Sequence, residues 1–343
     1  MTDPRPRARR GASPRTTRAT ILLPVLLAVL QGICTSAARA AASVGAAAST
    51  AGSDPIAVPG THEIDLEHGG QRRRALVHVP RRYDPARATP LLLAFHGGGG
   101  HMQLMAGPHY GLLDKAEQAG FVAVFPNGSS RFPGGRLATW NAGNCCGFAR
   151  DNGVDDVGFV RTLVKHLQGR LTIDARRIFA TGMSNGGMLA HRLGCEASDL
   201  VRAVAPVAGT DGTPGCTSPR PVSVLHIHAR DDTHVSFEGG PGPDAVPDRR
   251  QIADFDAVPA TMARWARRNR CSGLPEPVLQ VPGARCEAWR DCADGALVQL
   301  CVTDRGGHSW PGGTRVRVRQ AEPSQAISAN DVMWEFFERV TKR

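Results

Sequence analysis

Short apolar runs alternate with segments of helical period along residues 60–340 of this chain. Leu91–Phe95, Phe121–Phe125, Ile178–Thr181, Ala203–Val207 and Val298–Val302 are nearly unbroken apolar runs, and Val222–Ala229 carries Val224, Leu225 and Ile227. Runs of this length without alternation suit strands buried on both faces. Between them, Asp155–Leu171 places Val157, Val160, Val164 and Leu167 three or four residues apart, the spacing of a helix. Tyr110–Ala119, Asn185–Leu193, Val258–Arg268 and Ala326–Val340 read as further helices. Glu63–Leu66 and Arg74–Val79 flank His68-Gly69-Gly70 and predict an edge hairpin. This alternation predicts an α/β fold with a mostly parallel, doubly wound sheet and helices on both faces, in a single domain over residues 59–343. The chain contains no internal repeat.

The loops after these strands carry the chemistry. Gly182-Met183-Ser184-Asn185-Gly186 fits G-x-S-x-G between a strand and a helix, the nucleophile elbow of α/β-hydrolases. The turn crowds the serine backbone, so residues two away on either side must lack bulk. The helix starting at Asn185 aims backbone N–H groups at the place where an oxyanion would form. His96-Gly97-Gly98-Gly99-Gly100 follows the Leu91–Phe95 strand, where a second donor belongs, so Asn185 and Gly98 or Gly99 are the expected oxyanion hole. Arg230-Asp231-Asp232-Thr233-His234-Val235 follows the next candidate strand and supplies an acid, although spacing alone does not choose between Asp231 and Asp232. His308 lies in the glycine-rich loop after the last strand. The order Ser…Asp…His is that of an α/β-hydrolase triad, with Ser184 as nucleophile and His308 as general base. His226 and His228 lie on a strand and read as packed residues, whereas His234 is in the acid loop, within reach of a substrate. The irregular segment up to Gly153 is long enough to form one wall of a cleft. Trp140, Phe148 and Trp310 are candidate substrate-facing aromatics, with core packing the alternative for each. Asp155 and Asp156 suit the first turn of their helix, where its dipole favours acids, and read as structural.

Charge and cysteines add a compartment. The net charge is +10, but residues 1–40 hold seven Arg and one Asp, leaving +4 for the rest. The body shows no dense basic run with interleaved aromatics, which argues against nucleic acid as a partner. Arginines from Arg5 to Arg18, the apolar run Ile21–Ile33 and Ala38-Arg39-Ala40 read as an export signal cleaved after Ala40. That run is too short for a stable membrane span. Lipidation of Cys34 and twin-arginine export at Arg9-Arg10 are the alternatives. Residues 41–58 read as an Ala/Ser/Gly-rich disordered spacer. Beyond Cys34 the chain has eight cysteines, an even number that suggests disulfides in an exported protein. Cys271, Cys286, Cys292 and Cys301 are expected to pair among themselves, and Cys145-Cys146 to bond outward to Cys195 or Cys216. Their spacing fits no zinc site, and neither metal nor cofactor is expected. The expected state is a monomer or small homo-oligomer.

Several of these segments occur together in one known family. His96–Gly100, Trp140-Asn141-Ala142-Gly143 with Cys145-Cys146-Gly147, Val154–Phe159, Gly182–Met188 and Gly307–Gly313 resemble the poly(3-hydroxybutyrate) depolymerase / feruloyl esterase group, carbohydrate esterase family 1. The resemblance covers about residues 60–340 and implies a secreted serine ester hydrolase. It also implies Asp232 as the acid, because His228–Val235 matches the form H-G-x-x-D-x-x-V, with Ala229 in place of the glycine. The implied substrates are feruloyl and acetyl esters of polysaccharides or hydroxyalkanoate polyesters. The sequence carries no polymer-adsorbing module, so soluble or polysaccharide-borne esters are the expectation. A serine peptidase of similar fold and a non-catalytic exported binding protein are the rival readings. The first usually needs a propeller or cap domain, and an intact triad with both oxyanion elements argues against the second.

Overall fold

The computed structural model describes residues 55–245 and 254–342. The expected export signal, Cys34 and most of the spacer lie outside the described residues. Pro55–Ala57 form a 3-10 turn that buries Ile56 in the core, so the folded body begins before residue 59. The chain then runs β1 (Gly60–His68), β2 (Gln71–Val79), β3 (Thr89–Phe95), α1 (Met102–Met105), α2 (Leu112–Ala119) and β4 (Val122–Pro126). There follow α3 (Gly147–Asp151), α4 (Asp156–Gln168), β5 (Ile173–Met183), α5 (Asn185–Glu196), β6 (Ala203–Val207) and β7 (Ser223–Ala229). The last elements are α6 (Val258–Arg268), β8 (Glu276–Val281), β9 (Ala284–Trp289), β10 (Val298–Thr303) and α7 (Ala329–Thr341).

One sheet of ten strands organises these elements in the order β1-β2-β4-β3-β5-β6-β7-β10-β9-β8. The central run from β4 to β10 is parallel, and an antiparallel hairpin extends each side. β3, β4, β6, β7 and β10 are buried along their whole length, as their apolar runs require. Alternation sorts their side chains between two cores. Leu91, Leu93 and Phe95 pack with Leu163 of α4, Leu193 of α5 and Trp265 of α6. Leu92, Ala94 and Phe179 pack on the other face with Leu112 of α2 and Phe336 and Phe337 of α7. There Phe179 stacks on Phe337 with centroids 4.3 Å apart. Asp155 caps α4 by accepting from Gly158 N–H at 2.9 Å. Asp156 is buried, binds Arg73 at 2.6 Å and accepts from Asn141 N–H at 2.8 Å. Both aspartates are thus structural, and Asp156 ties the Trp140 segment down. Among the described residues no helix is long and apolar enough to cross a membrane.

All eight body cysteines are paired. Cys271–Cys292 and Cys286–Cys301 join as expected, the latter across directly opposed residues of β9 and β10. The expected outward bond of Cys145-Cys146 is not formed. These two residues pair with each other, and Cys195 on α5 takes Cys216 instead. In the chain-entropy account, the three bonds with sequence separations of 21, 21 and 15 contribute about 3 kcal/mol each.

Candidate active site

Ser184, Asp232 and His308 follow β5, β7 and β10, and the glycine run follows β3. Parallel strands bring these loops to one edge of the sheet, where open α/β folds bind ligands. Ser184 caps α5 with φ 55° and ψ −123°, a conformation uncommon outside glycine. Its surroundings hold it there. Ser184 N–H donates to Val207 O at 2.8 Å, and Ser184 O accepts from Met188 N–H at 2.9 Å. The flanking glycines are needed for space. A Cβ on Gly182 would lie 2.8 Å from Phe95 O, and one on Gly186 would lie 2.5 Å from His96 O. Gly186→Ala is therefore expected to destabilise the fold by about 1–3 kcal/mol, read as a lower urea midpoint. An unchanged midpoint would contradict this packing.

The glycine loop lies against the elbow: a Cβ on Gly97 would sit 3.5 Å from Ser184 Cβ. Within this loop the two candidate donors separate. Gly99 N–H is already bound to Ala138 O at 2.8 Å and is not free to meet an oxyanion. Gly98 is exposed, and its N–H has no partner among the described residues. Asn185 supplies the first N–H of α5, while its side chain clamps the Trp140 backbone. Oδ1 accepts from Trp140 N–H at 2.8 Å, and Nδ2 donates to Trp140 O at 3.0 Å. His96 braces the loop from below. Gly128 N–H donates to its Nε2 at 3.0 Å, so the ring proton is on Nδ1 and donates to Gly97 O at 2.8 Å.

The expected acid and base are in contact. His308 Nδ1 lies 2.8 Å from Asp232 Oδ2. Asp232 is buried, and its Oδ1 accepts from the backbone N–H of His234 at 2.8 Å and of Val235 at 3.0 Å. Burial pushes its pKa up, but the facing His308 and His228 outweigh this and hold it well below the ordinary carboxylate range. An ionised Asp232 fixes the proton of His308 on Nδ1 and leaves Nε2 free to accept one. Asp231 has a different role that spacing could not separate: it accepts from Gly307 N–H at 2.8 Å and holds the loop that carries His308. Ser184 Oγ makes no hydrogen bond among the described residues. Such bonds commonly tighten only in the substrate complex.

The expected substrate-facing residues divide in the same way. Trp140 is fully buried, with Nε1 donating to His96 O at 2.9 Å and its ring edge-on to Phe95. Trp310 is buried, donates to Asn330 Oδ1 at 3.1 Å and packs edge-on to Tyr110. Both belong to the core, not to a substrate wall. Phe148 is half-buried. The His234 ring stacks on His308 with centroids 4.8 Å apart, and its buried Nδ1 has no partner. Among the described residues, no group of three or more His, Cys, Asp or Glu is arranged to hold a metal ion.

The buried histidines also set an acid limit on stability. Burial lowers the pKa of His96 and of His191 to about 4, against 6.5 for the free side chain. Between those values the unfolded chain binds more protons than the folded one. Their stabilisation is therefore fully present above pH 6.5 and is lost as pH falls towards 4. Unfolding free energy is expected to fall between pH 7 and pH 5 by roughly 1–2 kcal/mol for each such histidine, read as a lower urea midpoint. Equal midpoints would contradict this reading.

Comparison with known proteins gives two kinds of likeness. No protein-family model matches the chain. Feruloyl esterase B of Piromyces equi is 31% identical over 244 residues, covering 69% of this chain and 42% of the relative. Feruloyl esterase C of Emericella nidulans is 29% identical over 196 residues, covering 55% of this chain and 63% of the relative. The chain thus spans less than two thirds of the length of either. Among solved structures, an acetyl xylan esterase from Aspergillus awamori superposes with a TM-score of 0.56 at 14% identity, covering 81% of this chain and 99% of that one. At that identity the likeness is one of fold, an α/β-hydrolase.

Proposed function

We propose that this chain is an α/β-hydrolase of the feruloyl esterase kind and hydrolyses carboxylic esters through an acyl-enzyme on Ser184. Ser184 Oγ attacks the ester carbonyl while His308 Nε2 takes its proton. The oxyanion accepts from the N–H groups of Asn185 and Gly98. As the tetrahedral intermediate collapses, the C–O bond to the alcohol breaks and His308 returns the proton to the departing oxygen. Water then attacks the acyl-enzyme by the same route, releasing the acid and restoring Ser184. Asp232 keeps His308 in the useful tautomer and stabilises the imidazolium. The observation that carries this reading is the 2.8 Å contact of His308 Nδ1 with a buried Asp232, at the same sheet edge as the strained Ser184 turn.

The names of the relatives support feruloyl esters, and by extension acetyl esters, borne on polysaccharide. His234, whose ring stacks on His308, is the residue we assign to meet such an acyl chain, with the half-buried Phe148 a second candidate. Paired cysteines throughout the body support action outside the cytoplasm, where disulfides persist. The test is a panel of methyl ferulate, acetylated xylan and hydroxybutyrate oligomers, with p-nitrophenyl acetate as a general ester. Faster turnover of methyl ferulate or acetylated xylan than of the oligomers supports the substrate class, and the reverse order overturns it. No hydrolysis of any of the four overturns the esterase reading itself.

A further inference from the structure

Beside Asp232 lies a row of buried rings that the acid–base chemistry above does not use. Trp265 Nε1 donates to His191 Nδ1 at 2.9 Å. His191 Nε2 lies 3.1 Å from His226 Nδ1, and His226 Nε2 lies 3.0 Å from His228 Nδ1. His228 Nε2 then reaches Val235 O at 2.9 Å and Asp232 Oδ2 at 3.3 Å. The row draws on α6, α5 and β7, and each ring is at most 1% exposed. Consecutive rings are tilted by only 14–23°.

The two ends fix the direction of every hydrogen bond in the row. An indole N–H can only donate, so His191 Nδ1 is bare and its proton is on Nε2. That N–H donates to His226 Nδ1, which places the His226 proton on Nε2. The same step places the His228 proton on Nε2. At the far end Val235 O and the Asp232 carboxylate can only accept, so they too require an N–H on His228 Nε2. The reverse order would set N–H against N–H at Trp265 and a lone pair against a carboxylate at Asp232. Each ring must be neutral for the row to work. Burial favours this, lowering the pKa of His191 to about 4 and that of His226 well below its ordinary value.

We propose that Trp265, His191, His226 and His228 form a tautomer-locked relay that delivers one buried N–H to Val235 O, 3.3 Å from Asp232 Oδ2, and so positions the acid of the triad. The proposal rests on reading Asp232 as that acid. Asp232 Oδ2 bonds His308 Nδ1 at 2.8 Å and lies 3.3 Å from His228 Nε2, whose hydrogen bond goes to Val235 O. Val235 O accepts from His228 while Val235 N–H binds Asp232 Oδ1, so holding Val235 fixes the plane in which the carboxylate can orient His308. Leu or Phe at these positions would fill space without the desolvation that three imidazoles cost. A fully satisfied polar row instead gives rigidity at the carboxylate.

Nuclear magnetic resonance of the full chain, labelled with 15N-histidine, tests the relay directly at pH 7. His191, His226 and His228 are expected to carry their proton on Nε2 with Nδ1 bare. Any of the three found protonated on Nδ1, singly or as an imidazolium, overturns the relay. This arm does not depend on ester hydrolysis, so an inactive wild type would sink the functional reading and leave the tautomer result standing. The kinetic arm compares His226→Leu with His226→Gln, because an amide still offers one acceptor and one donor. The leucine variant is expected to lose roughly tenfold in kcat at unchanged KM, the scale of a lost outer partner, with most of it regained in the glutamine variant. Wild-type kcat in both variants, or equal losses in both, overturns the positioning role. If the leucine variant does not fold, the tautomers of wild type and the kcat of His226→Gln decide.

Discussion

Ser184→Ala is expected to lower kcat for p-nitrophenyl acetate by on the order of 10^5–10^6-fold while the protein remains folded. In the proposed mechanism the serine oxygen makes the only covalent bond to the substrate, and no neighbouring side chain replaces it. What remains is the contribution of the Asn185 and Gly98 donors, which do not need the nucleophile. The substitution removes a hydroxyl that makes no hydrogen bond among the described residues. The backbone bonds of residue 184 to Val207 and Met188 are unaffected. Stability should therefore stay near wild type, and the loss belongs to chemistry. A variant that keeps a tenth or more of wild-type kcat would place the reaction elsewhere.

Asp232→Asn is expected to cost about 10^4-fold in kcat with little change in KM, the scale of a triad whose histidine is in the wrong tautomer. The reason is local. Oδ1 faces two backbone N–H groups, from His234 and Val235, so the amide oxygen of an asparagine settles there. Its NH2 group then points at His308 Nδ1 and at His228 Nε2. The first contact drives the His308 proton onto Nε2, where it can no longer accept one from Ser184. The second sets donor against donor. Asp231→Asn, by contrast, keeps an acceptor for Gly307 N–H, and its effect on kcat should be far smaller. Equal losses at the two positions would contradict the assignment of the acid.

The core strands were legible because burial on both faces demands unbroken apolar runs, as in Leu91–Phe95 and Ala203–Val207. The elbow and the Ser…Asp…His order were legible because that chemistry needs fixed residue types at strand ends. The β8–β9 hairpin was not. It lies at the sheet edge with β8 largely exposed, so Glu276, Pro277 and Gln280 give no apolar alternation to read. The choice between Gly98 and Gly99 turned on Ala138 crossing the loop, a contact 39 residues away from Gly99 along the chain. The same is true of Trp140 and Trp310, whose ring N–H groups find buried acceptors that no local pattern announces. His226 and His228 were legible as packed residues. Their link to His191 and Trp265 was not, because it joins a strand to two helices.

The central claim is that an acyl group is carried by Ser184 between two half-reactions. Mixing the protein with excess p-nitrophenyl acetate, quenching in acid within milliseconds and mapping peptides by mass spectrometry tests it most directly. The account predicts an acetyl adduct on Ser184, formed together with a burst of p-nitrophenol of about one equivalent per chain. Steady hydrolysis with no adduct at Ser184, or with the acetyl group on another residue, would contradict it.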